Sequence, residues 1–435
     1  MRNPVDSLPG PEGASANSTV RADVAVIGGG VVGHGIAWEV QRSGRSVVVI
    51  DDAPGTGASW AAAGMLAPVS ELHYQEEDLL ELMLDSASRW PAFAAHVAAA
   101  TGEDCGYLTT PTLAVGADAA DRRALMDLRT VQQANGLAVE PLAVREARTR
   151  EPLLSPAIAC AMDTPSDHQV DPRRLVLALR LALGGAPEGN PELSAAGAER
   201  GFAVPDRAAG LLWEGPSVAG VSLAGGGTVL AKETVVANGL HAAELGGLPD
   251  GLELPLRPVH GDILRLAVPG HLRPLVTSTV RGLVHGVPVY IVPRQDSTVV
   301  IGATQREDAL SDAVSAGGVY QLLRDAQALV PAVAELELLE STARARPGTP
   351  DNAPLLGRVP VAVGSGQDAT TAGHVHGLII ATGFFRHGVL LTPAAAAICT
   401  GLLDGRTDPR WAPFSPDRFS KPVAAGTSPH IKETA

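Results

Sequence analysis

Cysteine, aromatic side chains, positive charge and long apolar runs are all scarce in this chain, and each scarcity removes a class of protein. The three cysteines among 435 residues, Cys105, Cys160 and Cys399, lie far apart and in no CxxC pair. Neither a disulfide framework nor a structural zinc site is expected, and a reducing cytoplasm fits. Lys and Arg number 33 against 47 Asp and Glu, a formal net charge of −14 with no basic cluster to offset it locally. Binding to a nucleic-acid backbone is disfavoured. No segment supplies 18 uninterrupted apolar residues, and the first 20, rich in Pro, Gly, Ser and Asn, lack the apolar core of a secretory signal. A loose extension leading into a protein with no membrane span is expected. With aromatics at 3% and hydrophobic residues at 45%, the core must be built from aliphatics. The length favours two domains or one large domain with an insertion, since single cores stop growing near 250 to 300 residues. Gly 48 and Pro 34 make 82 of 435 residues, but no every-third-residue glycine period exists, which excludes a collagen-like fibre.

What is present begins at Val24–Asp51, VAVIGGGVVGHGIAWEVQRSGRSVVVID, which reads as strand, turn, helix, strand. Gly28, Gly30 and Gly33 fill the glycine positions of GxGxxG between two β-rich runs. Missing side chains let a pyrophosphate approach the turn, where exposed N–H groups and the helix dipole stabilise its charge. Asp51, 23 residues after Gly28, is placed to accept hydrogen bonds from an adenosine ribose, with Asp52 as its neighbour alternative. The following segment, PGTGASWAAAGMLAP, carries little side-chain bulk. It suits the close approach of a flavin pyrophosphate and ring, or equally an Ala-rich helix start capped by Ser59.

Further along, residues 77–100 predict an amphipathic helix interrupted near Pro91. Strands are expected at 107–115 and a helix at 118–135. Asp171-Pro172 reads as an N-cap and first turn ahead of a helix stopped by GGAPEGNPE. Residues 218–236 predict a hairpin. Between 255 and 304, HGDILRLAV, PVYIVPR and TVVIGAT predict an antiparallel sheet covered by a helix near 318–330. Tyr290 interrupts an apolar strand and Arg294 ends it; either can point into a cleft, against the plainer readings of a buried ring and a surface salt bridge. Among Arg344, Arg346 and Arg358, Arg346 is favoured as a carboxylate clamp because the rigid Pro347-Gly348-Thr349-Pro350 follows it. The other two read as surface or interdomain salt bridges. GLIIATG predicts a buried strand entering a helix, where Gly383 and Gly388 permit close approach and Pro393 marks a bend or a shifted helix start. His374, His376 and His387 form no metal-ligand pattern, and no metal is expected.

The ordered series AAAGMLAP (61–68), YIVPR (290–294), IGAT (301–304), RPGTPDNAPLLG (346–357) and ATGFFRHGVLLTP (381–393) resembles the FAD-dependent glycine oxidases of thiamine biosynthesis, within the D-amino-acid-oxidase-like flavoenzymes. The resemblance runs from about residue 22 to 405. It implies an α/β fold, with a Rossmann-like FAD-binding domain interleaved with an α+β substrate domain on a mostly antiparallel sheet. The expected segments are an extension at 1–20, FAD-binding parts at 21–75, 156–252 and 339–408, substrate parts at 76–155 and 253–338, and a tail at 409–435. It also implies FAD contacts from Gly28, Gly30, Gly33 and Asp51, with Gly64 and Met65 near the flavin; Ser59, Gly383 and Gly388 are further candidate cofactor contacts. Tyr290 and Arg346 are implied as substrate-carboxylate anchors, with Arg386 near the flavin and the substrate mouth. The implied reaction is oxidation of a small amino acid, glycine or sarcosine first, with molecular oxygen as acceptor, in a cytoplasmic homo-oligomer. Gln305, His387, Asp262 and Asn238 depart from the family pattern, the first two placing longer polar groups near the pocket. The alternatives are a related amine dehydrogenase using another acceptor and an FAD-binding sensor without turnover.

Overall fold

A computed structural model describes residues 19–72, 74, 76–184, 201–307, 312–363 and 370–420. The expected extension up to residue 18, most of the glycine-rich loop beyond 184, the loop at 364–369 and the tail beyond 420 lie outside the described residues.

Two eight-stranded sheets organise the described residues. The first has a parallel centre in which Thr19–Ile27 lies between Thr228–Val236 and Val47–Ile50, flanked by Thr370–Thr382 on one side and Gly201–Val204 on the other. Leu355–Val363 joins antiparallel to Thr370–Thr382, and Ala208–Glu214, Ser217–Leu223 and Thr228–Val236 form an antiparallel meander. Continuous apolar runs build this centre because both faces are covered. Val24, Val26, Val47 and Val49 feed the core beneath the helices Val31–Arg42, Glu77–Thr101, Pro172–Ala182 and Thr392–Leu403. Their neighbours Ala25, Ile27, Val48 and Ile50 feed the opposite core. Asp171 caps its helix as expected, accepting from the backbone N–H groups of Arg173 and Arg174, with Pro172 in the first turn.

The second sheet runs in the order Glu337–Gly348, Arg257–Ala267, Thr298–Gly302, Val287–Pro293, Thr279–Val284, Thr112–Gly116, Cys160–Thr164, Glu140–Leu142. Every pairing is antiparallel except that of Thr279–Val284 with Thr112–Gly116. Leu322, Ala326 and Leu329 of the helix Ala316–Leu329 pack into the core on one face. On the other face Val292 and Val300 pack with Ala61 and Ala63, and Gly261, Ile263 and Tyr290 line a cavity.

Several expected boundaries fall elsewhere. The helix Glu77–Thr101 contributes Leu79, Met83, Trp90 and Phe93 to the core of the first sheet, whereas Cys160–Thr164 and Glu337–Gly348 are strands of the second. That helix also runs unbroken through Pro91. An internal proline costs about 3 kcal/mol, and the burial of Trp90 and Phe93 on either side of an outward-facing Pro91 offsets it. The segment after residue 383 is a short turn of 3-10 helix, Phe385–His387, and the α-helix starts only at Thr392 with Pro393 in its first turn.

Candidate active site

A cavity of about 960 Å³ lies between the carboxyl ends of the parallel strands and the face of the second sheet opposite the helix Ala316–Leu329. At one end stands the glycine turn. Gly28 has φ +108°, and a Cβ there would sit 2.5 Å from the Ala237 carbonyl oxygen. A Cβ on Gly33 would come within 1.9 Å of the Gly28 carbonyl oxygen, so Gly33 lets the helix close onto the turn rather than lining the cavity. Asp51 accepts from the backbone N–H of Gly29 at 2.5 Å and of Ala53 at 2.7 Å, which fixes the turn against the second strand. Ser59 does not cap its own short helix, whose N-cap is Gly57; its Oγ accepts from the Val31 N–H at 3.0 Å, at the start of the helix Val31–Arg42.

Gly30, Gly64, Met65, Gly383 and Gly388 lie along the same cavity. Gly64 (φ +71°) and Gly383 (φ +73°) admit no side chain, with Cβ positions 2.0 Å from the Val170 carbonyl oxygen and 2.6 Å from Thr349 Cγ2. At Gly388 the nearest atom would be an ordinary 3.5 Å away, so glycine is not forced there. Asn238 adds a further feature: its Oδ1 is buried on the cavity wall with no hydrogen-bond partner among the described residues. An elongated cavity, a glycine cradle and an unpaired buried acceptor fit a dinucleotide such as FAD.

At the other end the side chains come from the second sheet. Tyr290 and Arg346, 56 residues apart in sequence, lie on one face because Gly302 and Gly261 sit beneath them. A Cβ on Gly302 would stand 2.5 Å from the Tyr290 hydroxyl, and one on Gly261 would stand 2.3 Å from Arg346 Nη2. Arg346 Nη1 donates to the Thr304 carbonyl oxygen at 3.4 Å, leaving its remaining donors toward the cavity it lines. Burial pushes the Tyr290 phenol up to about 12, so it stays a donor at any ordinary pH. Arg386 lines the cavity over the Phe385 ring, 5.2 Å from its centroid, and is ion-paired to Glu76.

Two side chains stand elsewhere than expected. Arg294 is not a surface residue: it is buried, donates to Gln169 Oε1 at 3.0 Å and to the carbonyls of Val170 and Ala63, and so braces the Ala63-Gly64 bend. Desolvation lowers it to about 10, still cationic at neutral pH. His387 presents no polar surface to the cavity; it is buried, with Nδ1 3.4 Å from Glu71 Oε2. Arg344 and Arg358 form salt bridges as expected: Arg344, which also donates to the Thr56 carbonyl at 2.9 Å, lies 3.8 Å from Asp312, and Arg358 grips Glu233 through two bonds of 2.9 and 2.8 Å. Gln305 does line the cavity, and Asp262 is buried, held by Thr304 and Arg306.

Sequence reasoning missed Gly261, Gly302, Glu71 and Arg281. The two glycines carried a usable signal, since glycine inside a strand marks close approach of another group. Glu71 and Arg281, bonded at 2.7 Å across 210 residues, carried none.

Residues 23–402 match the DAO family, FAD dependent oxidoreductase. A glycine oxidase of Geobacillus kaustophilus is 32% identical over 400 residues, covering 91% of this chain and 97% of that protein. The crystal structure of glycine oxidase from Geobacillus kaustophilus superposes with a TM-score of 0.77 at 31% identity, covering 92% of this chain and 99% of that one. The bifunctional protein ThiO/ThiG of Trichormus variabilis is 29% identical over 95% of this chain, which spans 57% of that longer relative. With the match running through both sheets and the glycine cradle, the chain belongs to the DAO family of FAD dependent oxidoreductases.

Proposed function

We propose that the protein oxidises a small amino acid, glycine or sarcosine first, to an imino acid that water converts to glyoxylate and ammonia or methylamine. The observation that carries this reading is the pair Arg346 and Tyr290, laid side by side over two glycines on the cavity wall. A guanidinium and a neutral phenol together satisfy one carboxylate, the guanidinium supplying charge and the phenol one further donor. Fixing the carboxylate fixes the α-carbon. Bound FAD supplies the two-electron acceptor for the hydride that leaves this carbon. The substrate reacts as its neutral amine, after the ammonium proton has passed to water; the freed lone pair stabilises the developing iminium, so no side-chain base is required at the α-carbon. Met65 and Phe385 add apolar wall that excludes water from the imine until release. The glycine oxidase relatives support the substrate class, and the resemblance of the motif series to the glycine oxidases of thiamine biosynthesis extends the proposal to a product that supplies thiamine thiazole synthesis. Molecular oxygen is the proposed final acceptor, giving hydrogen peroxide, in a cytoplasmic homo-oligomer.

Anaerobic mixing of the flavin-loaded protein with glycine, sarcosine, D-alanine and D-proline tests this. Bleaching of the flavin band by glycine or sarcosine is expected, followed by peroxide when oxygen is readmitted. No bleaching across a broad amine panel would refute the reading, and bleaching without peroxide would replace the oxidase with a dehydrogenase.

A further inference from the structure

Glu71 stands on the wall of the cavity together with Tyr290 and Arg281, yet neither the glycine cradle nor the carboxylate anchors use it. Its loop is held rigid. The buried Asp167 accepts from the N–H groups of Val69 at 3.0 Å and Ser70 at 2.8 Å, and Gln132 Nε2 donates to the Val69 carbonyl at 2.9 Å. Glu71 Oε1 takes a 2.7 Å bond from Arg281 Nη1, and Oε2 faces His387 Nδ1 at 3.4 Å. Burial raises the carboxyl, but Arg281, His387 and Arg386 outweigh it and hold the group below the usual carboxylate range. It is therefore a fixed anion rather than a proton acceptor. Its two oxygens offer about four lone-pair directions, of which Arg281 and His387 address two. Arg386 and Glu71 each have an ion-pair partner, Glu76 and Arg281, but Glu71 keeps lone-pair directions that Arg281 and His387 do not address, on the same cavity that Arg346 lines.

We propose that Glu71 recognises the amino group of the substrate, so that the site reads a zwitterion at both ends, carboxylate by Arg346 and Tyr290 and ammonium by Glu71. The inference rests on the amino-acid reading above and extends it to a discrimination. A 2-hydroxy acid of the same size satisfies the anchors but brings no cation to Glu71. Arg281 is a positioning residue, orienting the carboxylate from the second sheet.

The test compares glycine and sarcosine with glycolate on the flavin-loaded wild type and on Glu71→Gln. Amino acids are followed by the concentration giving half-maximal flavin bleaching, glycolate by its perturbation of the flavin band. Glu71→Gln is expected to weaken both amino acids ten-fold or more while glycolate changes less than two-fold. Because Gln leaves Arg281 facing no carboxylate, the double variant Glu71→Gln/Arg281→Met is measured too and should show the same selective loss. A merely structural role would weaken all three ligands together. An amino-acid to glycolate ratio within two-fold of wild type in both variants, or one shifted toward amino acids, overturns the proposal. A wild type that no amino acid reduces defeats the oxidase reading instead.

Discussion

Gly261→Ala isolates the geometry of the carboxylate clamp from its chemistry. The added methyl would stand 2.3, 2.4 and 2.6 Å from Nη2, Nη1 and Cζ of Arg346, whereas ordinary contact begins near 3.4 Å. The difference, 3.4 minus 2.3, requires the guanidinium to lift by about 1.1 Å. Little else must move, because the atoms met are the far end of a flexible side chain, and the strand Arg257–Ala267 stays paired on both sides. The fold should be retained while the donors leave their productive positions. A misplacement of about 1 Å can cost on the order of 100-fold, so kcat/KM should fall by about 10- to 100-fold, or roughly 1.4 to 2.8 kcal/mol. Arg346→Ala sets the ceiling at about 2 to 5 kcal/mol, the usual loss of a charged anchor. The assay is peroxide release across a glycine concentration series, with flavin content and melting temperature as controls. A folded, flavin-loaded Gly261→Ala protein with kcat/KM within two-fold of wild type would refute the placement of the clamp on this face.

Two further outcomes follow from other parts of the structure. Gly33→Ala sets a methyl 1.9 Å from the Gly28 carbonyl oxygen, backbone that cannot yield, so purified protein should lose at least half its bound flavin; full retention by absorbance would contradict the cradle. For Glu340, burial raises the carboxyl, but hydrogen bonds from Arg173 and Thr342 outweigh it and hold the group at about 2. A depressed carboxyl stabilises fully above its ordinary value of 4.5 and loses that contribution as pH falls toward about 2. Glu340→Gln should therefore flatten the decline in unfolding free energy over that window by about 1 to 2 kcal/mol after solvent screening, and an unchanged slope in urea titrations would contradict it.

The parts legible in the sequence are those whose cause is local. Glycine spacing marks the turn at 28–33, the unbroken apolar runs mark strands covered on both faces, and Asp171-Pro172 marks a helix start. Residues whose fate depends on distant partners were not legible. Arg294 looks like a strand-ending surface cation until Gln169, Val170 and Ala63 converge on it. His387 looks like cavity polarity until it is buried beside Glu71. Pro91 looks like a break because intrinsic propensity opposes it, and only tertiary burial of Trp90 and Phe93 reverses the sign. The strand Cys160–Thr164 belongs to the second layer through Thr112–Gly116 and Glu140–Leu142, partners separated from it by one or two helices that local sequence does not bridge.

The pairing of Thr19–Ile27 with Thr228–Val236 has a consequence for synthesis. Thr19 and Thr228 are 209 residues apart. At roughly 5 to 20 residues per second, the ribosome takes about 10 to 40 s to cover that distance. Throughout, one edge of the apolar strand that carries the glycine turn has no partner. Such an edge templates association with other chains, so newly made protein should depend on chaperones that shield strand edges until the middle of the chain emerges.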